Sequence, residues 1–132
     1  MKSQVIIDTN VLVYATFKDS EYHAESYDIL QRSNVVIPHI VLYEYMWVLL
    51  KLTGDLGIVK VKLNELRDFV ILHEDLDTIY NGLILMEQDK ASSTMLNDYI
   101  ILSVALRRSA YLATYDQKLR KIANKHGVMV IP

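Results

Sequence analysis

Val5-Ile6-Ile7-Asp8-Thr9-Asn10-Val11-Leu12 decides how this chain is read. An apolar run ends abruptly in a carboxylate, and a helical pattern starts at once behind it. A short, continuous apolar run is the mark of a strand buried on both faces. Such a strand delivers its terminal acid to the edge of a sheet. Three other acids, Glu44, Asp98 and Asp116, sit in similarly apolar company.

The same alternation continues along the chain. Gln4 to Asp8 reads as the first strand and Val11 to Phe17 as a helical turn or two. Glu21 to Arg32 has helical spacing, with Ser20 placed as its N-cap. Asn34 to Pro38 is a second strand. His39 to Thr53 is a helix apolar on nearly every side, ended by Gly54. Ile58 to Asp68 is amphipathic, with Lys60, Lys62, Glu65 and Arg67 as its wet side. Phe69 to His73 is a third strand, and Leu76 to Lys90 a helix with Asp75 as its cap. Ala91 to Thr94 is a loop and capping stretch before a helix from Met95 to Arg108. Tyr111 to Thr114 is a fourth strand, Gln117 to His126 a basic helix ended by Gly127, and Val128 to Ile131 a last strand. Short apolar strands alternating with helices predict an α/β fold. The expected form is a three-layer sandwich, with a central, mainly parallel sheet of four to five strands flanked by helices.

Size and composition bound the reading. The 132 residues fit a single domain, 1–132, and 52% apolar content fills a core. Only four Gly and two Pro interrupt the pattern, which favours regular elements over loops. There is no cysteine, so disulfides and thiolate metal sites are excluded, and the four His show no paired spacing. Any metal must be held by oxygen or imidazole, and oxygen ligands suit Mg²⁺ or Mn²⁺. No run approaches the length of a membrane span. Met1-Lys2-Ser3-Gln4 leads straight into a strand without a signal-peptide layout, so a cytoplasmic protein is expected. The net charge of −2 gives no overall pull toward nucleic acid, but Arg107, Arg108, Lys118, Arg120, Lys121 and Lys125 make the C-terminal part basic.

The four acids map to one end of the predicted sheet. Parallel strands all finish at the same edge, and ligands bind there. Asp8 closes the first strand and Asp116 lies just past the fourth. Glu44 is in the early turns of the helix leaving the second strand. Asp98 is near the start of the helix that feeds the fourth strand, and that helix must begin at the carboxyl edge to run back. The helical neighbours of Glu44 (Ile40, Val41, Trp47, Val48) and of Asp98 (Met95, Ile101, Leu102) put both acids on core-facing stripes. An uncompensated carboxylate there is costly, and a bound cation removes the cost. Each acid taken singly has an ordinary use: Asp8 and Asp116 as caps, Asp98 in a first turn facing the helix dipole. Nothing near Glu44 in sequence neutralises it. Asp19, Glu21, Asp28, Asp55, Glu65, Asp68, Asp75, Asp77, Glu87 and Asp89 read as turn or wet-face acids. Tyr43, Tyr45 and Trp47 suit core or dimer packing, or base stacking.

These residues resemble the PIN-domain family, and more closely its VapC-type toxins. Asp8-Thr9-Asn10-Val11-Leu12 is similar to the family's opening signature, and Ile37-Pro38-His39-Ile40-Val41-Leu42-Tyr43-Glu44 to its second acidic motif. Asn97-Asp98-Tyr99-Ile100-Ile101 with Ala105 resembles the third, and Leu112-Ala113-Thr114-Tyr115-Asp116 the closing Thr-x-Asp. The match runs in order over essentially the whole chain. Two departures stand out. Tyr99 occupies a place where a small residue is frequent, and is expected to narrow or reshape the site. No acid follows Asp116, and Lys118 stands where some relatives place one, so one metal or two stays open. The resemblance implies a Mg²⁺- or Mn²⁺-dependent endoribonuclease leaving a 5′-phosphate and a 3′-hydroxyl. It implies the toxin of a type II toxin–antitoxin pair, usually dimeric and silenced by a cognate antitoxin.

The residue types fit that chemistry. Asp8, Asp98 and Asp116 are assigned as metal ligands, and Glu44 as a ligand or as the group that orients and deprotonates the attacking water. Asn10 and Thr114 are candidates for holding carboxylates by hydrogen bonds. Arg107, Arg108, Lys118 and Arg120 are candidate RNA phosphate contacts, each equally suited to a solvated face. Two other classes compete: an inert binding module on the same fold, and a Mg²⁺-dependent phosphoaspartate protein. The second lacks Asp-x-Asp after the first strand, since Asn10 stands there, and lacks an acid closing the third.

Overall fold

A computed structural model describes residues 3–132; Met1 and Lys2 lie outside it. The strands are β1 (Val5–Ile7), β2 (Val35–Pro38), β3 (Val70–Leu72), β4 (Tyr111–Ala113) and β5 (Val130–Ile131). Between them run α1 (Thr9–Thr16), α2 (His23–Leu30), α3 (His39–Thr53), α4 (Leu56–Asn64), α5 (Leu76–Asp89), α6 (Leu96–Arg107) and α7 (Gln117–Lys125). A 3-10 turn, Ser93–Met95, precedes α6. The five strands form one sheet in the order β3-β2-β1-β4-β5, and every pairing is parallel. The expected α/β architecture is therefore the observed one, with the sheet parallel throughout.

β1 and β2 are buried along their whole length and β4 from Leu112 onward, as continuous apolar runs require when helices cover both faces. Helices α1 to α4 pack on one another along one face. Helices α5, α6 and α7 cover the other, with α6 lying directly over β1 and β4. Right-handed crossovers produce this division. The first two connections step outward from β1 to β2 to β3. The third carries the chain back across the sheet to the opposite side of β1. The α5–α6 hairpin that makes this crossing is tight. A Cβ on Gly82 would lie 3.1 Å from the Tyr99 carbonyl oxygen and 3.3 Å from the Ile100 Cα, so any larger residue would push α6 back by a few tenths of an ångström.

Most boundaries fall near the expected ones, and the exceptions have local causes. Ser20 does not cap α2. Its hydroxyl donates to the Tyr14 carbonyl at 2.7 Å, and the His23 ring meets the same carbonyl at 3.0 Å. The helix starts later, behind Tyr22, which supplies no side-chain cap. Helix α4 starts two residues earlier than expected because Asp55 caps it, accepting from Gly57 N at 2.8 Å and Ile58 N at 3.3 Å. Gly54 ends α3 in the left-handed conformation (φ 63°), its N–H reaching the Leu50 carbonyl at 2.8 Å.

The apolar helix α3 divides its surface. Val41, Leu42, Tyr45 and Leu49 are buried, and the Tyr45 hydroxyl shares a 2.6 Å hydrogen bond with that of Thr16. Tyr43 and Trp47 are 58% and 61% exposed, with Lys51 Nζ 4.5 Å above the Trp47 ring. Among the described residues, no helix is long and apolar enough to cross a membrane.

Candidate active site

The strand order reverses its direction of growth between β1 and β4. Helix α1 leaves β1 on one face and α7 leaves β4 on the other, so a crevice opens between the two strand ends. Asp8 follows the last residue of β1 and Asp116 precedes the first turn of α7. From one face α3 brings Glu44, one helical turn in from the end of β2. From the other, α6 brings Asp98 in its first turn. Four elements of distant sequence thus put carboxylates around one crevice.

Asp8 is the fixed point of the group, only 6% exposed. Its Oδ1 accepts from Thr9 N at 2.8 Å, capping α1. Its Oδ2 accepts from the Thr114 hydroxyl at 2.7 Å and from Asn10 Nδ2 at 3.2 Å. Thr114 in turn accepts from the Asp116 backbone N–H at 3.0 Å, and Asn10 Oδ1 accepts from the Tyr115 N–H at 3.1 Å. The end of β1 and the turn after β4 are therefore laced together through the two residues that the sequence puts beside the carboxylates. Asp116 uses Oδ1 as the N-cap of α7, accepting from Lys118 N and Leu119 N at 2.8 and 3.1 Å, which leaves Oδ2 outside these bonds. Capping and site roles are compatible for both Asp8 and Asp116, since each has two oxygens.

Thr9 is a site residue that sequence reasoning passed over: its hydroxyl donates to Glu44 Oε1 at 3.1 Å. Its position between Asp8 and Asn10 was the available signal. Asp98 takes part in no hydrogen bond among the described residues. Burial, followed by the charges of Asp8, Asp116 and Glu44, pushes its carboxyl up to about 7, with Lys118 opposing. Burial also raises Asp8, to about 6, against the lowering effect of its bonds to Thr114 and Thr9. Each of these acids feels the others' charge, so together they form a sink of negative potential.

The donor set decides which cation fits. It is four carboxylates with no thiolate or imidazole, which matches a hard divalent ion such as Mg²⁺ or Mn²⁺. Asp98, Asp116 Oδ2 and the second oxygen of Glu44 are the donors not already committed. As the side chains stand, no group of three or more His or acidic residues among the described ones is drawn close enough to grip an ion. To hold a cation the carboxylates would have to close up, against their mutual repulsion.

The candidate cations fall in different places. Lys118 is exposed in the first turn of α7, next to the acids. Arg120 lies close by, but its guanidinium donates to the Thr114 and Pro132 carbonyls at 2.9 Å each, tying β4 to the end of the chain. Arg107 and Arg108 sit at the far end of α6, about 14 Å along the helix from Asp98 at the usual rise per residue. Arg108 holds the Gln4 side chain before β1 at 2.7 Å, at the opposite edge of the sheet.

Tyr99 does not reshape the crevice. It is 2% exposed and points away from the acids, donating to Asp89 Oδ2 at 2.7 Å. Asp89, expected on a wet face, is instead enclosed at the junction of α5, α6 and α7. It receives His126 Nε2 and Lys125 Nζ at 2.8 Å each.

The structure is a parallel α/β domain with carboxylates around a crevice at its switch point, where ligands of such sheets bind. A family model of the PIN domain matches residues 5–125, and the chain belongs to the PIN domain family. Its fold is that of solved toxin–antitoxin proteins. VapC20 from Mycobacterium tuberculosis, described as a sarcin-ricin loop cleaving toxin, superposes with a TM-score of 0.75 at 14% identity, over 90% of this chain and 95% of that one. A toxin–antitoxin complex from Klebsiella pneumoniae gives 0.71 at 22% identity, over 98% and 97%. VapBC2 from Rickettsia felis, solved with a promoter DNA fragment, gives 0.71 at 23% identity, over 96% of each chain. No curated protein matches the chain in sequence.

Proposed function

We propose that this PIN domain is a Mg²⁺- or Mn²⁺-dependent endoribonuclease and the toxin of a type II toxin–antitoxin pair. The observation that carries the reading is the convergence of Asp8, Glu44, Asp98 and Asp116 on one crevice, where burial first, and then the charges of the other three, raise the Asp98 carboxyl to about 7. Asp8, Asp98 and Asp116 hold the cation, with Glu44 as a further ligand or as the base that takes a proton from the attacking water. When bound, the cation supplies positive charge and Lewis acidity at the phosphodiester. Thr114 and Asn10 fix the direction of the Asp8 carboxylate, and Thr9 that of Glu44. Lys118, exposed beside the acids, is the phosphate contact; Arg120 is spent on backbone carbonyls and Arg107 and Arg108 lie too far away.

The test is calorimetry with Mn²⁺ and an RNA cleavage assay on the same samples of wild type and Asp98→Asn. Wild type is expected to bind and cleave, and the variant to lose at least roughly a hundredfold in both. A folded wild-type protein that neither binds Mn²⁺ nor cuts RNA would overturn the reading in favour of a binding module.

The partners follow from the same reading: an RNA substrate, a cognate antitoxin of the kind present in the Klebsiella and Rickettsia complexes, and a second copy of the chain. The exposed apolar side of α3, centred on Tyr43 and Trp47, is the surface assigned to the copy. Trp47→Asp is expected to convert a dimer to a monomer in sedimentation at micromolar concentration, with circular dichroism unchanged. A wild type that sediments as a monomer would remove the dimer from the proposal.

A further inference from the structure

Tyr115 stands between the two residues of β4 and its following turn that face the crevice, yet it faces the other way. Thr114 and Asp116 lie on one side of the chain, and alternation sends the Tyr115 ring to the opposite side, toward α1 and α2. There it stacks on Tyr22, with ring centroids 4.4 Å apart and planes at 12°. Tyr14 meets both rings edge-on, at 5.2 Å from Tyr115 and 5.3 Å from Tyr22. The Tyr115 hydroxyl donates to Glu25 Oε1 at 2.8 Å and receives the Ser26 hydroxyl at 3.2 Å, so α2 holds the outer end of the ring twice. Its backbone N–H donates to Asn10 Oδ1, and the amide group of Asn10 then reaches Asp8 and Thr114.

Ordinary core packing accounts for part of this. A leucine would fill the space between Tyr14 and Tyr22. It would not reach Glu25 and Ser26, and stacking together with two hydrogen bonds at the hydroxyl restricts a ring in rotation as well as position. Away from α1 and α2 the turn from Thr114 to Asp116 is held by the Thr114 carbonyl, which accepts from Arg120 at 2.9 Å. One of its backbone groups holds Asn10, one of its side chains holds Asp8, and the next supplies a carboxylate.

We propose that Tyr115 is a positioning residue of the crevice: clamped to α2 through its ring and hydroxyl, it holds Asn10, and through Asn10 and Thr114 sets the orientation of Asp8 relative to Asp116. The proposal rests on the nuclease reading for its catalytic consequence, and on the hydrogen-bond geometry alone for its structural one. Helix α2, which contributes nothing to the crevice itself, becomes the strut against which the β4 turn is braced.

The test compares wild type with Tyr115→Ala and Tyr115→Phe, first without metal and then with Mn²⁺. In the metal-free proteins the Asn10 side-chain amide is followed by ¹H–¹⁵N NMR. Wild type and Tyr115→Phe are expected to show it dispersed and protected. In Tyr115→Ala it is expected to exchange with water roughly tenfold faster or more, as loss of its clamped partner requires. With Mn²⁺, Tyr115→Ala is expected to bind about tenfold more weakly and to lose kcat with little change in KM for RNA, and Tyr115→Phe to recover most of both. An Asn10 amide unchanged by Tyr115→Ala overturns the proposal. So does a lowered thermal stability with wild-type Mn²⁺ affinity and kcat. A wild type that binds no Mn²⁺ defeats the nuclease reading, and the Asn10 signal still decides the positioning role. If Tyr115→Ala does not fold, Tyr22→Ala removes the stacking ring from the turn before α2, with the same expected results.

Discussion

Asp8→Asn is expected to make the metal-free protein more stable while abolishing the metal-dependent RNA cleavage proposed for the crevice. The two effects share one cause. In the folded chain burial holds the Asp8 carboxyl at about 6, against 3.8 for the free side chain. The folded state therefore binds this proton more tightly than the unfolded one. Its stabilising contribution is fully present below pH 4 and is lost as pH rises through 6. Above that, the buried charge costs about 3 kcal/mol. Asp98, raised to about 7, extends the decline toward neutrality. Asparagine carries no charge to bury. It gives up the charge-assisted bonds from Thr114 and Asn10, worth about 1 kcal/mol, and leaves a net gain that raises Tm by roughly 5 °C at pH 7.5. Thermal scans at pH 5, 6 and 7.5, in EDTA and in Mn²⁺, check this. In EDTA the wild-type Tm should fall from pH 5 to 7.5 and the variant's should fall less. Added Mn²⁺ should raise wild type most at the highest pH and leave the variant unmoved. A variant less stable than wild type in EDTA at pH 7.5 would mean that Asp8 is a structural cap and nothing more.

Asp89→Ala is expected to cost about 3 kcal/mol, as much as emptying a core position, although Asp89 is a charged residue away from the crevice. The carboxylate side chain is 7% exposed and receives three donors from two other helices: the Tyr99 hydroxyl, His126 Nε2 and Lys125 Nζ. Those bonds, that of His126 foremost, hold its carboxyl well below the usual carboxylate range. Here the sign is the reverse of that for Asp8. The stability it supplies is present at neutral pH and is lost only on strong acidification, as the pH falls through its depressed pKa. Truncation strands the hydroxyl of Tyr99, which is 2% exposed. Lys125, with a side chain 61% exposed, has water as an alternative and contributes little. Asp89→Asn keeps an acceptor for Tyr99 and should lose less. Urea midpoints of the three proteins at pH 7 give the comparison; an alanine variant within about 0.5 kcal/mol of wild type would show that the cluster is incidental.

The contrast between Asp8 and Asp89 also marks where the sequence could be read and where it could not. Asp8 follows a buried strand directly, and one element is enough to place it. Glu44, Asp98 and Asp116 are each located by the strand that their helix leaves or feeds, so parallel topology gathers them without knowledge of strand order. Asp89 has no such address. It ends a helix, where acids are ordinarily wet, and its partners Lys125 and His126 lie 36 and 37 residues further on. Periodicity reports which face of a helix is apolar and is silent on which distant helix end arrives there. The same blindness placed Tyr99 in the crevice, when its hydroxyl is claimed by Asp89. It also grouped Arg107 and Arg108 with Lys118, when α6 carries them to the opposite edge. Ser20 failed as a cap because its hydroxyl had a nearer customer in the Tyr14 carbonyl.

The bond from Thr114 to Asp8 joins residues 106 positions apart. A crevice closed by so long a loop has consequences for when the protein can act. During synthesis a nascent chain that has emerged only as far as α6 already carries three of the four acids. It has no Thr114 to aim the first of them and no Asp116 to complete the set. Long-range closures of this kind form late in folding, after local helices and hairpins. The activity proposed for the crevice is thus withheld from any chain that stops short of β4, and from any in which the turn after β4 has come away from β1.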